Sequence, residues 1–197
     1  MPVSFFNRLP PGSSANGTGS KDASRGMILK FDSYLWIPSK AAYVKGDAKP
    51  QVECVLCAIR DRDERVKALE VWRGKLSVVV LNLYPYNPGH VMVFPKRHVE
   101  ALEELGEDEA LDIFRTVNLS ITSLRHLYRP QGFNVGINIG SAAGASIEHL
   151  HIHVVPRYNS ELGFVDIIGG GKVMIEDPER YLERVRDAFS TTSGDEP

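Results

Sequence analysis

The feature that most constrains this chain is the segment His149-Leu150-His151-Ile152-His153-Val154-Val155, in which three histidines alternate with apolar residues. Residues two apart in a β-strand share a face. The alternation therefore predicts a strand with its imidazoles on one face and Leu150, Ile152 and Val154 in a core. Imidazole titrates near neutral pH, so a row of three can supply a nucleophile, a proton donor and a metal ligand. This strand is the predicted functional site.

The sequence around this strand predicts a mostly antiparallel sheet. Residues 71–83 form a predicted strand pair, because β-branched residues flank the turn Arg73-Gly74-Lys75. The turn Tyr84-Pro85-Tyr86-Asn87-Pro88-Gly89 precedes the next strand. The remaining predicted strands are 90–94, 132–139, 148–155 and a short one near 164–168.

One long helix is predicted over 107–129, ended by Pro130. Acidic residues at its start and basic residues at its end suit the helix dipole. A second helix is predicted around 178–189. The resulting fold class is α+β, with the long helix packed across the sheet. The apolar stripe predicted to face the sheet consists of Leu111, Phe114, Val117, Ile121, Leu124 and Tyr128.

Length and composition indicate one globular domain. The 197 residues are 43% hydrophobic and 24% charged, with a formal net charge of −2. This charge argues against a nucleic-acid-binding surface, and no apolar run approaches the ~20 residues that cross a membrane. We predict a disordered leader over 1–30, a catalytic domain over 31–190 and a flexible tail over 191–197. The start has no secretory pattern, so a cytoplasmic location is expected.

The alternating histidines match the signature of the histidine-triad family at every position. Further segments, in order along the chain, resemble its branch that splits dinucleoside polyphosphates. That resemblance implies a nucleotide ligand such as AMP, ADP or ATP, and a homodimer whose sheets join. The segments are Leu35-Trp36-Ile37-Pro38, Cys54-Val55-Leu56-Cys57, residues 81–90, Pro95-Lys96-Arg97-His98 and Gly132-Phe133-Asn134-Val135-Gly136.

The resemblance also implies roles for the histidines. His151 would be the nucleophile that forms a nucleotidyl-imidazole with the α-phosphate. His153 would contact phosphate oxygens or the leaving group. His149, the first histidine of the motif, is grouped with these two as a catalytic candidate.

The resemblance extends to contacts with the nucleotide. Asn82 lies on the strand that binds the ribose in the family, and Asn138 resembles a phosphate contact, although each can instead be a turn-forming Asn at a strand end. Ser141 and Ser146 flank a small-residue loop in which backbone N–H groups can approach phosphate oxygens. Arg157 can serve the polyphosphate chain. Lys96, Arg97 and Lys172 are further candidates, but a solvated surface cation is the simpler interpretation of each of these three.

A structural zinc site is the second prediction. Cys54-x-x-Cys57 alone is a weak signal, shared with redox proteins, but a thioredoxin-like context is absent. A closed zinc site needs four N or S ligands. His98 and His149 look like the other two ligands, as in zinc-bearing relatives of the family. His90 is interpreted as a structural contact and His126 as a surface residue. Mg²⁺ can accompany the polyphosphate.

The residue at position 145 bears on the second step of the reaction. Many family members carry Gln there, where it helps to orient the second nucleophile, whereas this chain has Ala145. The small side chain leaves room for inorganic phosphate, so a diadenosine tetraphosphate phosphorylase is favoured over a hydrolase. A purine-nucleoside phosphoramidase and a non-enzymatic nucleotide-binding regulatory protein of the same family remain alternatives.

Overall fold

A five-stranded antiparallel sheet lies at the centre of the protein, with strand order β1-β2-β3-β5-β4. The computed structural model describes residues 50–159 and 177–194, which lie within one compact unit of the chain. The strands are β1 (Glu70–Arg73), β2 (Ser77–Leu81), β3 (Val91–Pro95), β4 (Gly132–Ile137) and β5 (Ile152–Arg157). The helices are α1 (Val55–Arg60), α2 (Glu107–Tyr128) and α3 (Pro178–Ser193), with 3₁₀ turns at Leu102–Glu104 and Ser141–Ala143. The predicted α+β class is confirmed.

The two faces of the sheet are covered differently, and alternation along the strands decides which residue joins which face. On one face, which we call the helical face, α2 and α3 pack on residues that include Val79, Val93 and Val154. The opposite face, which we call the ligand face, carries Val80 and Met92 in a smaller apolar cluster with residues of α1. His153 pairs with Met92 across β3 and β5, so it lies on the ligand face.

Helix α2 starts at the predicted residue and ends one residue before the predicted end, but its buried stripe differs from the prediction. Phe114 is 70% exposed and Leu111 is 50% exposed, so neither faces the sheet. Thr116 is buried instead, and its hydroxyl lies 2.8 Å from that of Ser77, which also donates to Asp112 at 2.6 Å. The buried side of α2 therefore includes small polar residues whose hydrogen bonds are satisfied within the protein, which a count of apolar residues overlooks.

Other boundaries also differ from the prediction, and β4, for example, ends at Ile137 rather than at residue 139. Strand β5 begins at Ile152, so His149 and His151 lie in the segment that leads into it. Helix α3 continues to Ser193, beyond its predicted end, and starts at an Asp177 cap whose carboxylate accepts the Glu179 N–H at 3.0 Å. The predicted leader, the Trp36 segment, the strand near 164–168 and Lys172 lie outside the described residues. Within the described part, no helix is both long and apolar enough to cross a membrane.

Candidate nucleotide-binding and metal-binding site

Four predicted metal ligands come together at one end of the ligand face. Cys54 caps the N-terminus of α1 and Cys57 lies in its first turn, while His98 follows β3 and His149 precedes β5. Their ligand atoms all lie within 4.8 Å of one another. Three segments distant in sequence thus supply one cluster that could hold a metal ion.

The distances within the cluster fit a tetrahedral ion. The Nδ1 atom of His149 lies 3.4 Å from the Cys54 sulfur and 3.5 Å from the Cys57 sulfur. The Nδ1 atom of His98 lies 3.3 Å from the Cys57 sulfur. Zinc bonds of about 2.0–2.3 Å in a tetrahedron place ligand atoms about 3.5 Å apart. The donor set, two sulfurs and two imidazoles, is one that zinc prefers.

The surroundings of His149 prepare it as a neutral ligand. Its Nε2 lies 2.9 Å from the Pro95 carbonyl oxygen, which only accepts, so Nε2 carries the proton and Nδ1 presents its lone pair to the sulfurs. Burial lowers the pKa of His149 to about 4. The pKa of Cys57 is raised to about 11. Burial is the largest cause, and the hydrogen bond to Cys54 and the charge of Cys54 raise the pKa further. A cation held by the cluster would oppose this rise, because it would stabilise the thiolate.

His151 is held with one ring nitrogen committed to the backbone. Its Nδ1 lies 2.7 Å from the carbonyl oxygen of His149, so Nδ1 donates and Nε2 carries the lone pair of the neutral ring. The ring is 4% exposed. A fixed tautomer of this kind is what an imidazole nucleophile requires.

His153 has the opposite tautomer, set by His90. The Tyr86 N–H donates to Nδ1 of His90 at 3.1 Å, so the proton of neutral His90 is on Nε2. That Nε2 lies 2.9 Å from Nδ1 of His153, which therefore accepts, and the proton of neutral His153 is on its Nε2. The His151 and His153 rings meet edge to face, with centroids 4.9 Å apart. In the neutral rings, the pair thus places a lone pair on Nε2 of His151 beside an N–H donor on Nε2 of His153.

The role of His90 was missed by sequence analysis, which interpreted it only as a structural contact. It is fully buried, and Gly89 before it adopts φ +80 in a turn where a Cβ would lie 2.9 Å from the Tyr128 ring. His90 and His153 are 63 residues apart in sequence, and the pairing of β3 with β5 brings them together. No local spacing carries that signal.

A cavity of about 480 Å³ opens beside the two histidines. Its lining combines polar residues such as His151 and His153 with apolar residues such as Leu56, Ile59 and Leu69. This volume suits one nucleotide better than a whole dinucleotide. Among the predicted phosphate and ribose contacts, Asn82, Asn138 and Ser146 line the cavity.

The other candidates have different positions. Ser141 is exposed in the 3₁₀ turn and Ala145 lies in the same loop, next to the lining residues Gly144 and Ser146. Lys96 donates to the Gly74 carbonyl at 2.5 Å, and Arg97 donates to Glu109 at 2.7 Å, so both cations make structural contacts. Asn82 forms a turn as well, since its Oδ1 accepts the Tyr84 N–H at 2.8 Å.

Comparison with known proteins finds a family model and several relatives that match the chain. Residues 63–160 match the HIT domain family model. The chain is 48% identical over 120 residues to a Mycobacterium tuberculosis protein named AP-4-A phosphorylase. The alignment covers 59% of this chain and 62% of that protein. It is 31% identical over 111 residues to Protein hit of Bacillus subtilis, covering 56% of this chain and 75% of that protein.

A solved structure agrees with these matches. The Zn-bound histidine triad family protein of Mycobacterium smegmatis superimposes with a TM-score of 0.60 at 26% identity, over 73% of this chain and 98% of that one. The chain spans 62% of the length of the mycobacterial phosphorylase that it matches.

Proposed function

The chain belongs to the histidine-triad family, and from that membership we propose that it is an enzyme that cleaves dinucleoside polyphosphates through a nucleotidyl-histidine intermediate on His151. The observation that carries this proposal is the 2.7 Å contact between His151 Nδ1 and the His149 carbonyl. The contact leaves the nucleophilic lone pair on Nε2 of a ring that lines a nucleotide-sized cavity.

The first chemical step follows from these tautomers. Nε2 of His151 attacks the α-phosphorus, a P–N bond forms, and the bond from that phosphorus to the bridging oxygen breaks. The departing polyphosphate keeps the bridging oxygen and its electron pair. His153, with its proton on Nε2, donates to phosphate oxygens or to that leaving oxygen. The His149 carbonyl stabilises the charge that develops on the His151 ring.

The second step transfers the nucleotidyl group to an acceptor oxygen and restores His151. We favour inorganic phosphate over water, because Ala145 leaves room for the larger acceptor beside Gly144 and Ser146. The similarity to a protein named AP-4-A phosphorylase supports the same choice and supports diadenosine tetraphosphate as the substrate. Water as acceptor would make the chain a hydrolase.

Zinc is the metal that we propose for the four-residue cluster. All four ligand positions are filled by protein side chains, which is typical of a closed, structural zinc site. Zinc there would tie α1 to the segment that contains His149 and so orient the neighbouring His151. The name of the Zn-bound mycobacterial relative supports this choice. Mg²⁺ accompanying the substrate stays a prediction.

A homodimer is proposed on the family resemblance. Strand β4 is an edge of the sheet, its Val135 is 47% exposed, and Phe114 on α2 is exposed as well. Unpaired edges and exposed aromatic residues are the features that a second subunit would cover. The cytoplasmic location stays a prediction.

The test is to incubate the purified protein with diadenosine tetraphosphate, with and without inorganic phosphate, and to resolve the nucleotides formed. ADP plus ATP, dependent on phosphate, is the expected result. AMP plus ATP without phosphate would establish a hydrolase and contradict the interpretation of Ala145.

Absence of products in both reactions would favour one of the alternatives. Turnover of adenosine phosphoramidates would then indicate a phosphoramidase. Nucleotide binding without any turnover, unchanged in His151→Asn, would indicate a regulatory protein.

A further inference from the structure

We propose that the ligand face of β4, from Gly136 to the guanidinium of Arg157, binds the polyphosphate of the departing nucleotide. The inference rests on the proposed function and assigns a second subsite to it. The nucleoside cavity is lined from β2, β3 and the loop that follows β4, whereas this surface lies along β4 itself and the far end of β5.

The register of β4 and β5 defines a continuous path. Gly136 pairs with His153, Asn134 with Val155 and Gly132 with Arg157. Paired residues share a face, so these β4 residues lie on the same face as His153. Asn138, just beyond β4, lines the nucleoside cavity. The path therefore begins at the cavity and passes His153.

The length of the path suits a chain of several phosphates. The backbone of Arg157 lies four residues beyond His153, about 13 Å at the strand rise of about 3.3 Å per residue, and its guanidinium reaches back to Asn134, which pairs with Val155 two residues beyond His153. A substrate with a single phosphate bound at His151 does not reach Arg157. The terminal phosphates of a tetraphosphate bridge extend in that direction.

The glycines of β4 leave this face open. A Cβ on Gly132 or on Gly136 would meet nothing within 4 Å. Neither glycine has the positive φ found at Gly89, Gly140, Gly144 and Gly194, so backbone conformation does not require them. Glycine inside a strand weakens it and often marks a close approach by a ligand. Here it removes side chains from the surface next to His153.

The guanidinium of Arg157 lies at the far end of the path. Nη1 of Arg157 donates to Oδ1 of Asn134 at 2.8 Å, which holds the exposed guanidinium against the strand. Both residues line a shallow hollow of about 410 Å³, together with Gln131 and Asn159. A guanidinium binds phosphate oxygens through paired N–H groups, and amide side chains add further donors.

Binding to a protein that does not turn over tests this subsite. In the His151→Asn background, the affinities for AMP and for diadenosine tetraphosphate are measured by calorimetry at fixed salt. Arg157→Gln should weaken diadenosine tetraphosphate binding about tenfold, the scale of one charge-assisted contact, and leave AMP binding unchanged. Gly136→Val, which favours a strand but fills the path, should do the same.

Arg115→Gln is the matched control, because Arg115 is an exposed arginine on α2, over the opposite face of the sheet. It removes the same charge and should change neither affinity. Circular dichroism and a thermal scan verify that each variant is folded.

The outcomes separate this inference from the proposed function. If wild-type protein cleaves diadenosine tetraphosphate but Arg157→Gln and Gly136→Val leave the ratio of the two affinities unchanged, the subsite is wrong and the function stands. If both variants weaken AMP equally, the effect is a general one and the subsite is again wrong. If the wild type neither binds nor cleaves diadenosine tetraphosphate, both the subsite and the proposed function are wrong.

Discussion

The two faces of the sheet are built from the same strands but differ in what their side chains contact. On the helical face, Val79, Val93 and Val154 meet residues of α2 and α3 in one large apolar cluster. On the ligand face, the apolar cluster is smaller and adjoins four histidines whose ring nitrogens are each assigned by a specific partner. One face stabilises the fold through contacts that tolerate replacement of one apolar residue by another. The arrangement of the ligand face depends on hydrogen bonds to individual ring nitrogens of these histidines.

The histidines of the ligand face also differ from one another. His149 directs Nδ1 to the sulfurs, since Pro95 accepts from its Nε2. His151 donates from Nδ1 and keeps the lone pair on Nε2. His153 accepts at Nδ1 from His90. Three residues of one type, spaced by two, thus adopt two tautomers in three different surroundings, because the acceptor or donor beside each ring differs.

The largest effect is expected where one atom is irreplaceable. His151→Asn should lower turnover of diadenosine tetraphosphate by about a thousandfold or more, because it removes the nucleophile. An Asn amide can still donate to the His149 carbonyl, so the thermal midpoint should stay near that of the wild type. Product formation by chromatography and a thermal scan measure the two quantities. Retained turnover would exclude a nucleotidyl-His151 intermediate.

The second-largest effect is expected from loss of a metal ligand, and we expect it mainly on stability. Cys57→Ser should lower the free energy of unfolding by about 4 kcal/mol or more, on the scale of losing a structural metal, and should abolish stoichiometric zinc. Urea unfolding and elemental analysis measure these effects.

A core variant on the helical face gives the contrast. Leu124→Ala should cost about 2–5 kcal/mol, since Leu124 is fully buried. It should leave bound zinc unchanged. Equal zinc content in wild type and Cys57→Ser would contradict the assignment of the cluster.

A smaller effect is expected at His90, which acts through His153. His90→Phe removes the donor to Nδ1 of His153 and should lower kcat about 10- to 100-fold, the usual scale for a hydrogen-bonding neighbour of a functional group. His90→Gln should recover part of this loss, because its amide can accept from the Tyr86 N–H and donate to His153. Steady-state kinetics over a range of pH test the pair. If Phe and Gln at position 90 have equal activity, packing alone explains this residue.

The fold was predicted well where local pattern decides it. The turn at Gly74, the hairpin of β1 and β2 and the bounds of α2 follow from alternation, period and Pro130. The orientation of α2 was predicted wrongly at Leu111 and Phe114, because Thr116 is buried through its contact with Ser77 on another element. A hydrophobicity pattern does not include such a partner.

The site, too, was predictable in part from local sequence and in part not. The triad motif located the segment with His151 and His153, and the family resemblance suggested the four residues that the structure brings together as a cluster. The tautomers were not predictable, since they depend on Pro95, the His149 carbonyl and His90. Arg157 could be named from sequence, and alternation along β5 puts it on the face of His153, but the β4 residues beside it follow only from the register of β4 and β5.

Glu109 connects the two faces, and we expect the smallest effect there. It lies in the first turn of α2 and accepts the Gly106 N–H at 3.0 Å, while Arg97, next to the cluster residue His98, donates to it at 2.7 Å. The hydrogen bond from Arg97, and then that from Gly106, lowers the pKa of Glu109. Its stabilising effect is therefore complete above the carboxyl's unfolded value of 4.5 and is lost as pH falls through the lower folded value.

Glu109→Gln should cost about 1 kcal/mol at pH 7, the scale of a helix-capping interaction. The difference from wild type should shrink as pH falls below the unfolded value, because the wild-type carboxyl then becomes protonated and neutral like the amide. Urea unfolding of both proteins at pH 7 and at stepwise lower pH measures this convergence. A difference that does not vary with pH would mean that the charge of Glu109 contributes nothing. The link from α2 through Arg97 to the cluster would then rest on packing.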